Sequence, residues 1–383
     1  MKLEQLANND SYAYLERYVN KPKYSVFAQY SEVFEEFHPR FGDGEIFVPY
    51  KKRKDAKVLL AYPDKKVLSD IIDDGIKFFE HPQFNTCGNN FTASVPTAST
   101  RTVLAKDYFI KLHFPARISR FNRRLKEGSV EHSILVSRDI EESLVQAPKS
   151  FAYLPESIGI IVPEGHGCII REKIARPFVD EKRYLIPFFA LYSKDPNSKD
   201  EPLLVQMIKN SNELPLDYFI NKIVQPFVEV WSFFAKERGI LLENHCQNTL
   251  LEVNQNYEPT RIVCRDFQSD MIDAKVREQK NLAVPFKKHL IGGAQDPFPK
   301  EQEYSIVWDH FVASYVFPFF TSCLKEYFAV SEEVSQQAIK EKFRELFPDS
   351  SKYFPKTEYT LADKIFEDNS VQLEDTNELP KYR

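Results

Sequence analysis

Glu243-Asn244-His245-Cys246-Gln247-Asn248, then Thr249-Leu250-Leu251-Glu252-Val253, a polar turn, Arg261-Ile262-Val263-Cys264 and finally Arg265-Asp266-Phe267: this stretch decides how the rest of the chain is read. Two short apolar segments flank Asn254-Gln255-Asn256-Tyr257-Glu258-Pro259, the composition of a turn, so the pattern predicts a β-hairpin. Glu243 and His245 are two residues apart and face one side of an extended loop, while Asn244 and Cys246 face the other. The returning strand delivers Asp266 beside Asn248. A carboxylate and an amide oxygen meeting at a hairpin end suit Mg2+ bound to phosphates. His245 remains to hydrogen-bond a phosphate or a substrate carboxylate. A plainer reading has Asn248 and Asp266 merely tying a loop to backbone amides.

The chain around it has 383 residues, 43% hydrophobic and 28% charged, enough apolar material for a substantial core. It holds 32 Phe and 19 Tyr but only 11 Gly, which predicts thick cores filled by rings. A net charge of −5 argues against general nucleic-acid binding. The first residues lack the apolar segment of a secretory signal, and no run reaches membrane-spanning length, so the expectation is a cytoplasmic protein without a membrane partner. Phe311 to Leu324 reads as a buried helix interrupted by Pro318. The 5 cysteines form no CxxC pair, which speaks against a disulfide framework or a structural zinc.

Helical patterns are expected at Ser11 to Val19 and Val67 to Phe79, with a solvated basic run at Lys51-Lys52-Arg53-Lys54. A loop over 81–100 leads into Ser99-Thr100-Arg101-Thr102. Strands are expected at Val103-Leu104, Tyr108 to Phe114, Gly159 to Val162, Cys168 to Ile170 and Tyr184 to Leu191. Arg117 to Leu125 reads as a short helix with a basic face, and Asp195 to Asp200 as a turn-rich insertion. Pro215 to Arg238 is the clearest helix, kinked at Pro226 and stopped by Gly239. The chain beyond Val307 reads as mostly helical, with a frayed end after Glu367.

Ser99-Thr100-Arg101-Thr102 offers hydroxyls, backbone amides and a guanidinium, a donor cluster that phosphate oxygens favour. Lys111 interrupts an apolar strand, either as an edge charge or as a residue pointing into a phosphate site. Arg123 could add a second positive charge there.

Ser-Thr-Arg-Thr, a strand lysine, Arg123, Glu-x-His-x-Gln-Asn and Arg-Asp-Phe occur in an order that resembles the IucA/IucC family of NRPS-independent siderophore synthetases. Ile169-Ile170-Arg171-Glu172 resembles the family's Arg-Glu strand, and Phe188 to Leu191 the apolar strand after it. The resemblance covers residues 95 to 330. It implies an α+β fold: a β-rich "fingers" region (96–210), a mainly helical "palm" region with a β-hairpin (211–383), distantly kinase-like, and a shortened N-terminal region (1–95). It also implies an ATP-dependent ligase with Mg2+ as cofactor, which adenylates a polycarboxylic acid such as citrate and condenses it with an amine or hydroxyl nucleophile. By that analogy Ser99, Thr100, Arg101, Thr102 and Lys111 hold nucleotide phosphates. Arg123 and His245 lie between the α-phosphate and the acid, Ser119 and Gln247 contact the acid, and Glu243, Asn248 and Asp266 bind metal or nucleotide. Relatives are often homodimers. The chain departs from the family in lacking its upstream Gly-His-Pro-x-His-Pro-x-x-Lys element, and Asn244 and Gln268-Ser269 stand where alanine and glycines are usual. Two other readings compete. His-x-x-Asn-x-Leu-Leu followed by Asp-Phe echoes a kinase catalytic loop, although Cys246 and Gln247 replace the expected base and no Gly-rich loop is present. A catalytically silent, nucleotide-binding relative is the other.

Overall fold

The computed structural model describes residues 1–20, 32–39, 42, 44–85, 90–118, 121–286, 300–365 and 371–383. Helix α1 (Ser11–Tyr18) is followed by strands β1 (Ile46–Arg53) and β2 (Lys57–Leu60), helix α2 (Lys65–Ile72), and strands β3 (Ile76–Phe79), β4 (Asn90–Pro96), β5 (Thr102–Leu104) and β6 (Tyr108–Lys111). The Asp64 side chain caps α2 by accepting from the Lys66 and Val67 amides. Two-residue strands β7 (Arg117–Ile118) and β8 (Phe121–Asn122) precede α3 (Glu127–Ser143), β9 (Phe151–Tyr153), β10 (Glu156–Ile161), β11 (Gly167–Glu172) and β12 (Tyr184–Pro187).

Eight of these strands form one antiparallel sheet in the order β2-β10-β11-β6-β5-β4-β1-β3. Strand alternation divides it into two faces. Ile110, Ile158, Ile160 and Ile170 lie in one core with Val67 and Ile71 of α2. Ile161 and Ile169 pack with Val130 and Ile134 of α3 in another. Gly159 shares that second face because α3 crosses so closely: a Cβ there would stand 2.7 Å from Val130 Cγ1 and 2.8 Å from Ile134 Cγ1.

Helices α4 (Phe188–Tyr192) and α5 (Leu203–Ser211) lead to α6, residues 215–238. A π segment, Ile220–Val224, immediately precedes the α-helical stretch Gln225–Phe233 that contains Pro226, and a second, Phe234–Arg238, ends at Gly239 with φ +58°. Proline has no amide hydrogen to complete the helical ladder, and a widened turn absorbs the loss. Strand β13 (Ile240–Leu241) then enters the opening motif, and β14 (Thr249–Val253) and β15 (Pro259–Cys264) form the expected hairpin. That hairpin is the centre of a second sheet, β12-β14-β15-β9, in which β9 runs parallel to β15. Strand β16 (Met271–Ile272), α7 (Ala274–Gln279), the long helix α8 (300–328), α9 (Glu332–Leu346) and the pair β17 (Tyr359–Ile365) and β18 (Val371–Asp375) complete the chain. The aromatic richness goes into the helical core, where Trp308 stacks 4.8 Å from Trp231 and 4.7 Å from Phe343.

Several local expectations need correction. Arg117 to Leu125 is not a helix: it holds the antiparallel pair β7 and β8, and Ser119 and Arg120 lie outside the described residues. Tyr184 to Leu191 changes from strand to helix at Phe188, and Val67 to Phe79 changes from helix to strand after Ile72. The basic run belongs largely to β1, and β4 interrupts the loop over 81–100. The end is not frayed: β17 and β18 pair, and Arg383 Nε bonds the buried Asp309 Oδ1 at 2.8 Å. Short apolar runs fit either a buried strand or a buried helix, and packing decides between them.

Gly159→Ala should cost about 1–3 kcal/mol, the usual range for overpacking a filled interior. Thermal denaturation reads this directly, and an unchanged midpoint would show that α3 is not seated against β10 as described.

Candidate active site

Strand register builds the site. Thr102 pairs with Lys111, Phe109 with Arg171, and Arg171 with Glu156, so Thr102, Lys111, Arg171 and Glu156 share one face of the large sheet. Beyond the apolar α3 contact this face becomes a charged stripe. Asp266, at the end of the β14–β15 hairpin, is set down on it. One carboxylate oxygen pairs with Lys111 Nζ and the other lies 3.6 Å from Arg171 Nη2. Arg171 also holds Glu156 Oε1 at 2.5 Å, and Glu156 takes the Ser133 hydroxyl and the Phe267 amide. Lys111 is 1% exposed; burial pulls its pKa down while Asp266 and Glu156 hold it up. Burial opposes ionisation of Asp266 too, yet Lys111 and Arg171 outweigh it and keep the carboxyl well below the usual range.

The Glu243–Asn248 loop closes the other side. Asn248 donates to the Glu243 carbonyl at 3.0 Å, leaving its amide oxygen as an acceptor, and its backbone carbonyl receives the Arg265 amide at 3.0 Å. Asn244 is buried and donates to Cys264 Sγ, which pins the opposite side of the loop to the hairpin. His245 Nδ1 accepts from the Gln247 amide at 3.1 Å, so the neutral ring carries its proton on Nε2. Burial lowers its pKa to about 4, with Asp266 raising it and Arg123 lowering it. The imidazole is therefore an N–H donor at neutral pH. Nε2 lies 3.8 Å from Glu243 Oε1, too far for a hydrogen bond. Burial and the neighbouring Asp266 raise Glu243 to about 7, against Arg123. Asp270, behind the loop, receives the Glu243 amide at 2.8 Å and is pushed up by its own burial.

On the facing side the Ala98–Thr102 turn is tightly wound. Thr100 has φ +64°, Ser99 Oγ accepts from the Thr102 amide at 2.9 Å, and the buried Thr102 hydroxyl has no partner among the described atoms. Arg101 Nη1 donates to the Arg123 carbonyl at 2.9 Å. Burial, and then repulsion from Arg123, lowers Arg101 to about 10. Asp266 also has positive φ, +74°. A β-branched threonine and a non-glycine aspartate in this region cost on the order of 1–3 kcal/mol each, strain that surroundings must hold in place.

Lys111, Arg101, Arg123, Glu243, His245 and Asp266 thus come within electrostatic reach of one another, with Thr102 opposite Lys111 in the sheet and Asn248 bonded to the Glu243 carbonyl. Lys111 is interior, between β5 and β11, rather than an edge charge. Gln247 reaches the site through its backbone carbonyl, which receives Arg265 Nε at 2.9 Å and Nη2 at 2.7 Å. Ser119 lies outside the described residues. Among the described residues no group of three or more His, Cys, Asp or Glu is arranged to hold a metal, and no helix is long and apolar enough to cross a membrane. Glu156, Asp270, Tyr12 and Glu16 were not anticipated. An acidic residue opening a strand of isoleucines marks Glu156; nothing in the exposed-looking helix Ser11–Tyr18 marks Glu16.

No protein-family model and no curated protein sequence matches the chain. Solved structures do. Petrobactin biosynthesis protein AsbB from Bacillus anthracis str. Sterne is similar over 99% of this chain and 76% of its own length, with TM-score 0.68 and 16% identity. ATP-bound aerobactin synthetase IucA from Klebsiella pneumoniae is similar over 90% of this chain and 72% of its own, with TM-score 0.63 and 15% identity. Aerobactin synthetase IucC, from the same organism, is similar over 83% and 65%, with TM-score 0.60 and 14% identity. The chain has the fold of these siderophore synthetases, the fold that the IucA/IucC-like motifs imply.

His245 should stay neutral until pH falls to about 4, as read from its ring resonances by NMR. Because the unfolded chain takes up this proton first, near 6.5, His245 contributes stability that is lost as pH drops from 6.5 towards 4. A ring titrating at 6.5 would contradict the burial and tautomer assigned to it.

Proposed function

We propose that the protein is an ATP-dependent synthetase of siderophore biosynthesis that adenylates a carboxylic acid, citrate or a related polyacid, and joins it to an amine or hydroxyl. The observation carrying this reading is the set of cations gathered around Asp266 and the Glu243–Asn248 loop, in a fold shared with siderophore synthetases, one of them ATP-bound. Residues 96–210 are proposed as a fingers region and 211–383 as a palm, distantly kinase-like, after an N-terminal region of residues 1–95.

A carboxylate is a poor electrophile. Attack of its oxygen on the α-phosphorus of ATP makes an acyl adenylate and expels pyrophosphate; the nucleophile then attacks the acyl carbon and AMP departs. The protein's task is to place the two reactants in line and to stabilise charge on the α-phosphate. Arg101, Arg123, Lys111 and the Ser99–Thr102 turn supply cations, amides and hydroxyls to the phosphates. The unpartnered Thr102 hydroxyl and the mutually opposed Arg101 and Arg123 are groups that an anion would satisfy. His245 Nε2–H donates to the α-phosphate or to the acid, and being neutral it does not compete for the acid's negative charge. The peptide of Gln247 fixes that ring, and Ser119 and the Gln247 side chain are the further contacts proposed for the acid.

Mg2+ would be held by the side-chain oxygens of Glu243, Asn248 and Asp266. Asp266 helps burial lift Glu243 to about 7, and the Asn248 amide nitrogen is taken up by the Glu243 carbonyl, which leaves the amide oxygen as a donor. A divalent ion there would neutralise that repulsion and charge on the phosphates.

ATP–pyrophosphate exchange with a panel of polycarboxylates tests the proposal. Acid-dependent exchange is expected, and His245→Ala should lower it by about 100-fold, the scale of losing one oriented donor. ADP formation would indicate a kinase-like phosphotransferase, and absence of both reactions a silent relative.

A further inference from the structure

We infer that Glu16, on the N-terminal helix and remote in sequence from every motif above, is a positioning residue that holds the two halves of the nucleotide site in register. The inference rests on the ATP reading and extends it to a residue that no motif marks. Glu16 is 1% exposed. Its Oε1 lies 2.6 Å from Arg265 Nη1, and its Oε2 accepts from the Ala98 amide at 3.2 Å. Arg265 in turn places Nε and Nη2 on the Gln247 carbonyl, while its own amide bonds the Asn248 carbonyl. Tyr12, one turn earlier on α1, bonds Glu16 Oε1 at 3.0 Å and meets Arg265 Nη1.

A single carboxylate therefore ties the start of the Ser99–Thr102 turn to the loop that carries His245 and Asn248. These segments belong to different sheets, and the first contains Thr100 at positive φ. The Lys111–Asp266 contact joins the sheets from below, through side chains that ligand charge would perturb. The Glu16 bridge joins them through the Ala98 amide, the Gln247 carbonyl and the buried Arg265 guanidinium. Two oxygens on one carboxylate fix a distance, which a pair of separate surface contacts does not.

The test has two arms. In the nucleotide-free protein, hydrogen exchange is followed in residues 97–102 and 245–249 for the wild type, Glu16→Gln and Glu16→Asp. In the enzyme, KM for ATP and KM for the acid are measured separately. Glu16→Gln removes the charge opposite Arg265. Glu16→Asp keeps that charge, and so the fold, but is one methylene short of both partners. Both variants should speed exchange in the two segments together and raise KM for ATP by on the order of tenfold, the scale of one charge-assisted bond, with the folded fraction unchanged. Exchange unchanged in either segment, or both KM values rising in parallel with a loss of folded protein, would overturn the role given to Glu16. A wild type that uses no ATP would overturn the ATP reading instead, and the exchange arm would still decide whether Glu16 couples the two loops.

Discussion

The contact of Asp266 with Lys111 and Arg171 is the constraint on which the site depends. The buried Lys111 and Arg171 meet the half-buried Asp266 at the place where the hairpin meets the large sheet. Any one of them buried alone would cost several kcal/mol, so the pairing fixes the approach of the two sheets rather than merely decorating it. The contact holds in place an aspartate whose backbone is left-handed, a conformation that costs energy at a non-glycine residue. Glu156 completes the arrangement by holding Arg171 from behind and accepting the Phe267 amide, which anchors the residue after Asp266.

The electrostatics of the site follow from this. Cations outnumber firmly ionised acids, because Glu243 is held near neutrality by burial and by Asp266. Arg101 and Arg123 crowd each other. Positive charge therefore dominates around a histidine that is kept neutral and whose tautomer is set by a single backbone amide. Binding charge without proton exchange suits a reaction whose barrier lies at a phosphate. The aromatic core behind the hairpin, around Trp231 and Trp308, supplies the rigid support that such spacing requires.

Much of this was legible in the chain. The hairpin, the facing of Glu243 and His245, the pairing of Asn248 with the Asp266 strand, and the oddity of Lys111 in an apolar strand all follow from local pattern. Local pattern could not say that Lys111 and Arg171 share a face, because that is set by register between strands. Nor could it decide whether Phe188 to Leu191 is strand or helix, since continuous burial erases periodicity. Arg123 was placed on a helix because four arginines suggested a face; the chain instead turns back as β7–β8. Glu16 was invisible because its partners lie 82 and 249 residues away.

The account's central claim is that the acid attacks the α-phosphorus and leaves the protein joined to its nucleophile. The direct measurement supplies the acid with 18O in its carboxylates and follows the label by mass spectrometry after turnover with ATP and an amine. The account predicts one 18O in AMP for each condensation. Label in inorganic phosphate instead would place the attack on the γ-phosphorus and contradict it.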